Sequence, residues 1–178
     1  MGDAPRSRAD TALAALRIGV GIFFLVFGQY KIFGTRFTLG GGFLGYITHW
    51  LQGGAYPFMK PVLSGFVLPH ATAIAFLVAY GEFAIGLALV LGILVRTASG
   101  FGLLFMLTML FSSAYPGPAA AFWQYFGASL NQSVFAMCFA AFLMAGPARV
   151  FTVLNLRRKQ PIPRFLRMAA ETQPPQND

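Results

Sequence analysis

The sequence predicts an all-α integral membrane protein: a bundle of four transmembrane helices, both termini cytoplasmic, with a short interfacial helix in the first external loop. Three observations predict it. Of 178 residues, 57% are hydrophobic and only 10% charged, against about 25% charged in an average soluble domain. A soluble fold of this length cannot hide so much apolar surface, so the bilayer is the natural solvent. Apolar runs near residues 11–33, 70–95, 98–115 and 128–145 each approach the ~20 residues that a ~30 Å hydrocarbon core requires. The lysines and arginines gather at the ends of these runs and in the C-terminal segment.

Residues 1–10 form a polar N-terminal segment, and Asp10 is a candidate N-cap for the first helix. The run 11–33 is longer than the ~7–15-residue core of a signal peptide, and no small-residue cleavage site follows it. It is expected to stay in the membrane as a helix. Residues 34–69 make a long connection in which Gly40, Gly41 and Gly42 break any helix. Phe43, Leu44, Ile47, Trp50 and Leu51 then recur at helical spacing with Thr48, His49 and Gln52 opposite. That pattern predicts a short helix lying in the interface, with Trp50 suited to that depth. Pro57, Pro61 and Pro69 punctuate the rest. A loop that enters the membrane here needs protein over its backbone polar groups.

The second span starts at Pro69 or His70, since proline in a first turn gives up no hydrogen bond, and Arg96 ends it. The third runs to Pro116-Gly117-Pro118. A short aromatic loop, Phe122 to Phe126, leads into the fourth, which ends at Gly146-Pro147. Residues 11–147 thus make one membrane domain. Residues 148–178 make a basic cytoplasmic tail, tethered to the inner leaflet by Arg157-Arg158-Lys159 and then disordered.

Orientation follows from the cations. With four spans, one side carries Arg6, Arg8, Arg17, Arg96, Arg149, Arg157, Arg158, Lys159, Arg164 and Arg167. The other side carries Lys31, Arg36 and Lys60. The excess places both termini in the cytoplasm and the long 34–69 loop outside. The net charge of +8 therefore fits anionic head groups rather than nucleic acid.

Of the five acidic residues, Asp3, Asp10, Glu171 and Asp178 lie near the termini, and only Glu82 lies in the apolar body. A carboxylate at that depth costs about 2.5–3.5 kcal/mol on insertion scales and is expected to face the bundle interior and find a partner. Ala75, Ala79, Glu82, Gly86 and Leu89 fall on one helical stripe, whose small residues let another helix approach closely. The first span has a matching face of Arg17, Gly21, Phe24, Gly28 and Lys31. Gly21 and Gly28 open a groove between two cations. By axial rise, Glu82 lies between the levels of Arg17 and Lys31, and either cation can pair with it. Two readings stand: a structural ion pair that fixes helix register, or a proton carrier or ligand contact beside the groove.

Other polar residues point away from soluble-enzyme chemistry. The single cysteine, Cys138, makes neither a CxxC pair nor a thiolate metal cage, and reads as a small buried hydrophobe. His49 and His70 both lie near the outer interface, not on facing helices as axial haem ligands do. No metal site is expected. Asn131 and Gln132 read as inter-helix hydrogen-bonders. The phenylalanines and methionines read mostly as lipid-facing or packing residues, not as a cofactor box. No phosphate loop, dinucleotide fingerprint or HExxH is present.

Read in order, the first span gives Arg17-Ile-Gly-Val-Gly-Ile-Phe-Phe-Leu-Val-Phe-Gly28-Gln-Tyr-Lys31. The second gives Val67-Leu-Pro-His-Ala, Gly81-Glu82-Phe-Ala-Ile-Gly86 and Leu91-Gly92-Ile-Leu-Val-Arg96. This ordered set resembles the DoxX family, and within it the DoxD-like subunit of thiosulfate:quinone oxidoreductase, over about residues 13–146. The resemblance implies a four-helix bundle in the bacterial inner membrane and oxidation of thiosulfate to tetrathionate with electrons passed to membrane quinone. It also implies a second redox subunit. On that reading Glu82 carries protons, and Tyr30, Lys31, Trp50 and His70 contact a quinone head group. Arg36 and Lys60 attract the anion. The alternative is a non-catalytic scaffold of a redox complex, or a small-solute carrier, which with few spans would need to form a homo-oligomer.

Overall fold

The computed structural model describes residues 8–127 and 130–145. The polar start of the N-terminal segment, the first residues of the expected fourth span, its Gly146-Pro147 end and the basic tail lie outside the described residues. Among the described residues the fold is all-helical, without strands. Three helices are long and apolar enough to cross a membrane: α1 (Arg8–Phe33), α5 (Ala71–Leu91) and α6 (Val95–Ser113). A shorter apolar helix, α8 (Leu130–Ala145), follows them. Short helices lie between: α2 (Thr35–Thr38), α3 (Gly42–His49), α4 (Lys60–Val62) and α7 (Gln124–Gly127).

Element boundaries differ from the expected ones for identifiable reasons. Among the described residues α1 is already helical at Arg8, so Asp10 lies inside the helix rather than capping it. There its charge complements the N-terminal dipole, as Lys31 does in the last turn. α5 ends at Leu91 because Gly92 takes a left-handed φ of 69° and closes the helix as glycine at that position commonly does. Arg96 therefore does not end the second span. It opens the third helix, after a turn in which Leu94 also has a positive φ of 49°. The 34–69 connection is mostly helical rather than irregular. α3 runs on into a π-helical turn at Trp50–Gly54, closed by Ala55 N–H to the Trp50 carbonyl at 2.8 Å. α4 runs into another at Leu63–Val67. The wider turns keep these backbone groups hydrogen-bonded along the connection.

α1 and α5 pack along most of their length, as do α6 and α8. Glycine sets the first contact. A Cβ on Gly86 would lie 2.6 Å from the Leu25 backbone nitrogen, and one on Gly28 would lie 2.6 Å from that of Phe83. At the second contact, the Phe139 ring lies directly over Gly102. Phe24, Leu89, Met106, Phe139 and Phe142 form the main core among these four helices. Phe43, Ile47, Ala55, Leu63 and Ala75 form a second cluster, by which α3 docks on α5. The loops lock together beyond it. Tyr56 N–H donates to the Phe111 carbonyl, Tyr115 N–H to that of Gly54, and the Tyr56 hydroxyl to that of Tyr125.

Candidate functional site

The stripe expected on α5 is the buried one: Ala75, Ala79, Glu82, Gly86 and Leu89 are all buried, with Ile85 beside them. On α1, Arg17, Gly21, Phe24 and Gly28 are buried, with Ala14 and Val20. These faces meet antiparallel. Because Gly28 lies against Phe83, the next turn of α1 brings Lys31 level with Glu82. Lys31 Nζ donates to Glu82 Oε1 at 2.5 Å. Arg17, 1% exposed, lies one turn before Gly21, which faces Leu89 and Val90. It is therefore near the far end of α5. The geometry thus selects Lys31 from the two cations that the sequence left open.

Glu82 is 6% exposed, and its second oxygen, Oε2, has no hydrogen-bond partner among the described residues. Lys31 also lies over the Phe37 ring, 5.0 Å from its centroid, a cation–π contact that steadies an ammonium away from water.

The pair forms part of the wall of a cavity of about 710 Å³. Phe23, Phe24, Phe27, Phe37, Phe43, Phe105, Phe135, Tyr46 and Trp50 surround it, with Met106 and Met109. These aromatics and methionines, which the sequence offered mainly as packing or lipid-facing residues, are brought together around this cavity. Tyr30, 79% exposed, and Arg36 also line this cavity. So do Asn131 and Gln132 of α8, which the sequence offered only as hydrogen-bonders between helices. A second cavity of about 490 Å³ lies on the other side of Glu82, between α5 and α6.

Not every candidate joins this site. Lys60, exposed on α4, lines neither cavity. His70, also exposed, holds its Nδ1 at 2.9 Å from the Phe66 carbonyl and likewise lines neither. Gly21, Gly28 and Gly86 do not form an open groove. The opposing helix fills the space above each of them, so they are a packing seam. Phe37 is the contact that the sequence reading missed. Its place over Lys31 comes from the turn of α2, which no periodicity reveals. Among the described residues, no cluster of three His, Cys, Asp or Glu side chains could hold a metal ion.

The fold and the site together define a multi-pass membrane protein in which a buried glutamate pairs with a half-buried lysine in the wall of an aromatic cavity between its helices. The chain belongs to the DoxX family, whose model matches residues 12–114. That match spans α1, the helical connection, α5 and α6, and so contains both members of the pair. Comparison with curated proteins and with solved structures returned no match.

Proposed function

We propose that this DoxX protein is a quinone-linked redox subunit of the bacterial inner membrane. It crosses the membrane four times, with both termini in the cytoplasm and α3 at the outer interface. The observation that carries this reading is the Lys31–Glu82 pair set into the wall of an aromatic cavity within the apolar body. Flat aromatic walls suit a planar ring. The unpartnered Glu82 Oε2 is a polar atom that a buried site normally satisfies with a ligand or water.

A quinone, when bound, accepts two electrons and two protons and leaves as the quinol. Lys31 supplies N–H donors toward a carbonyl oxygen. Glu82 takes up each of the two protons in turn at Oε2 and passes it to the reduced ring, and the aromatic wall shields the ring from bulk water. The electrons come from a partner subunit. The DoxD-like resemblance supports thiosulfate as their source, two thiosulfates joining through an S–S bond and releasing two electrons. Arg36 at the cavity wall attracts that anion, whereas Lys60 stands apart from it. Arg36→Ala is expected to raise the apparent KM for thiosulfate in the assembled complex, and Lys60→Ala to leave it unchanged. Steady-state assays on the two variants check this.

The alternative role, a non-catalytic scaffold, draws on the glycine seam between α1 and α5, which the ion pair would lock in register. On that reading Glu82→Gln lowers stability and bound quinone is absent. On the redox reading wild type carries quinone, and the variant, less stable with Lys31 unpaired but still folded, loses quinol formation.

A further inference from the structure

α5 and α6 follow each other through the short turn at 92–94, yet they pack against each other far less than α1 packs on α5 or α6 on α8. The second cavity separates them. Its lining runs along α6 from Phe101 to Ser112, a length of about 16 Å at ~1.5 Å per residue. Along α5 it runs from Ile74 to Ile85. The walls are apolar apart from Glu82, Ser112 and Thr108, and the Thr108 hydroxyl is turned back to the Leu104 carbonyl at 2.8 Å. Leu77 and Leu104 line the cleft and are 71% and 61% exposed, so it opens sideways onto lipid.

This long apolar cleft abuts the aromatic cavity. The two share Phe43, Trp50, Val78, Glu82, Phe105 and Met109. Length, apolar walls, a lateral opening and a junction at the ion pair describe a channel for a flexible hydrocarbon chain whose ring lies next door. We propose that the cleft between α5 and α6 takes the isoprenoid tail of a membrane quinone whose ring occupies the aromatic cavity. The inference rests on the quinone reading above. It adds the route by which the ligand enters and leaves, laterally from the bilayer between these two helices.

Gly81 allows a direct test. It lines the cleft but not the aromatic cavity, and a Cβ there meets nothing within 4 Å. Gly81→Ala therefore adds a methyl group without striking the protein, and Gly81→Phe carries a ring into the cleft. The full-length protein, purified in detergent, is titrated with a benzoquinone carrying a decyl chain and with the same ring lacking it. The wild type is expected to bind the decyl form more tightly, because chain burial contributes at every methylene. Gly81→Phe should weaken binding of the decyl form about tenfold or more and leave the tail-less ring unchanged, with Gly81→Ala close to wild type. An unchanged decyl affinity, with or without loss of a co-purified phospholipid, overturns the proposal and leaves the cleft to an acyl chain or to nothing. Equal losses for both quinones also overturn it. A wild type that binds neither quinone overturns the quinone reading itself, and the tail assignment with it.

Discussion

A glutamate in an apolar body survives only if something compensates for its desolvation, and at Glu82 that compensation is Lys31 at 2.5 Å. Removing one partner of a buried pair leaves a charge without an answer, at about 3–5 kcal/mol in soluble proteins. Lys31→Met is therefore expected to lower stability by about 3 kcal/mol. Adding Glu82→Gln to it should restore much of the loss. Thermal unfolding of the two variants in detergent measures both. Gly28→Leu is expected to destabilise by about 1–3 kcal/mol in the same assay, since its Cβ meets the Phe83 backbone. The buried faces of both helices were legible from the 3.6-residue period, because burial on one helix is a local pattern. Which cation reaches Glu82 was not. That depends on the axial offset between two helices, fixed by how Gly28 settles against Phe83 and Gly86 against Leu25.

Among the elements, the long apolar helices were plain in the sequence, and their ends were not. Gly92 closes α5 because it alone tolerates φ of 69° at little cost. Gly92→Ala should lower stability by about 1–2 kcal/mol, the strain of a side chain in that conformation. The π-helical turns at Trp50–Gly54 and Leu63–Val67 break the period on which a helix reading depends, so the connection looked irregular. Tyr56 ties this connection to α6 and to Tyr125. Burial, with Tyr125 and Tyr115 nearby, pushes its phenol above the usual 10.0. The neutral form is thus favoured in the folded chain. Its contribution is complete below pH 10.0 and is lost as pH rises through the higher folded value. Unfolding temperatures across alkaline pH should fall less steeply in Tyr56→Phe than in wild type.

For the whole molecule, composition was enough to define a membrane protein, but the aromatic cavity was not legible. Its walls come from α1, the connection, α5, α6 and α8, and contacts between such distant segments leave no local pattern. For the same reason Lys60 and His70 resembled site residues in sequence and lie elsewhere in space. The proposed topology has its own test. In a Cys138→Ala background, Lys60→Cys should be labelled by a membrane-impermeant thiol reagent in intact cells. Arg96→Cys should be labelled only after the membrane is opened. The reverse pattern would invert the orientation.

On the proposed function, the Lys31–Glu82 pair and its aromatic cavity hold a quinone. This is tested most directly by extracting and quantifying quinone from purified wild type and Glu82→Gln, with unfolding temperatures taken on the same samples. Wild type should carry roughly stoichiometric quinone, and Glu82→Gln should lose it while remaining folded. Wild-type protein without quinone, or equal quinone in both samples, would contradict it.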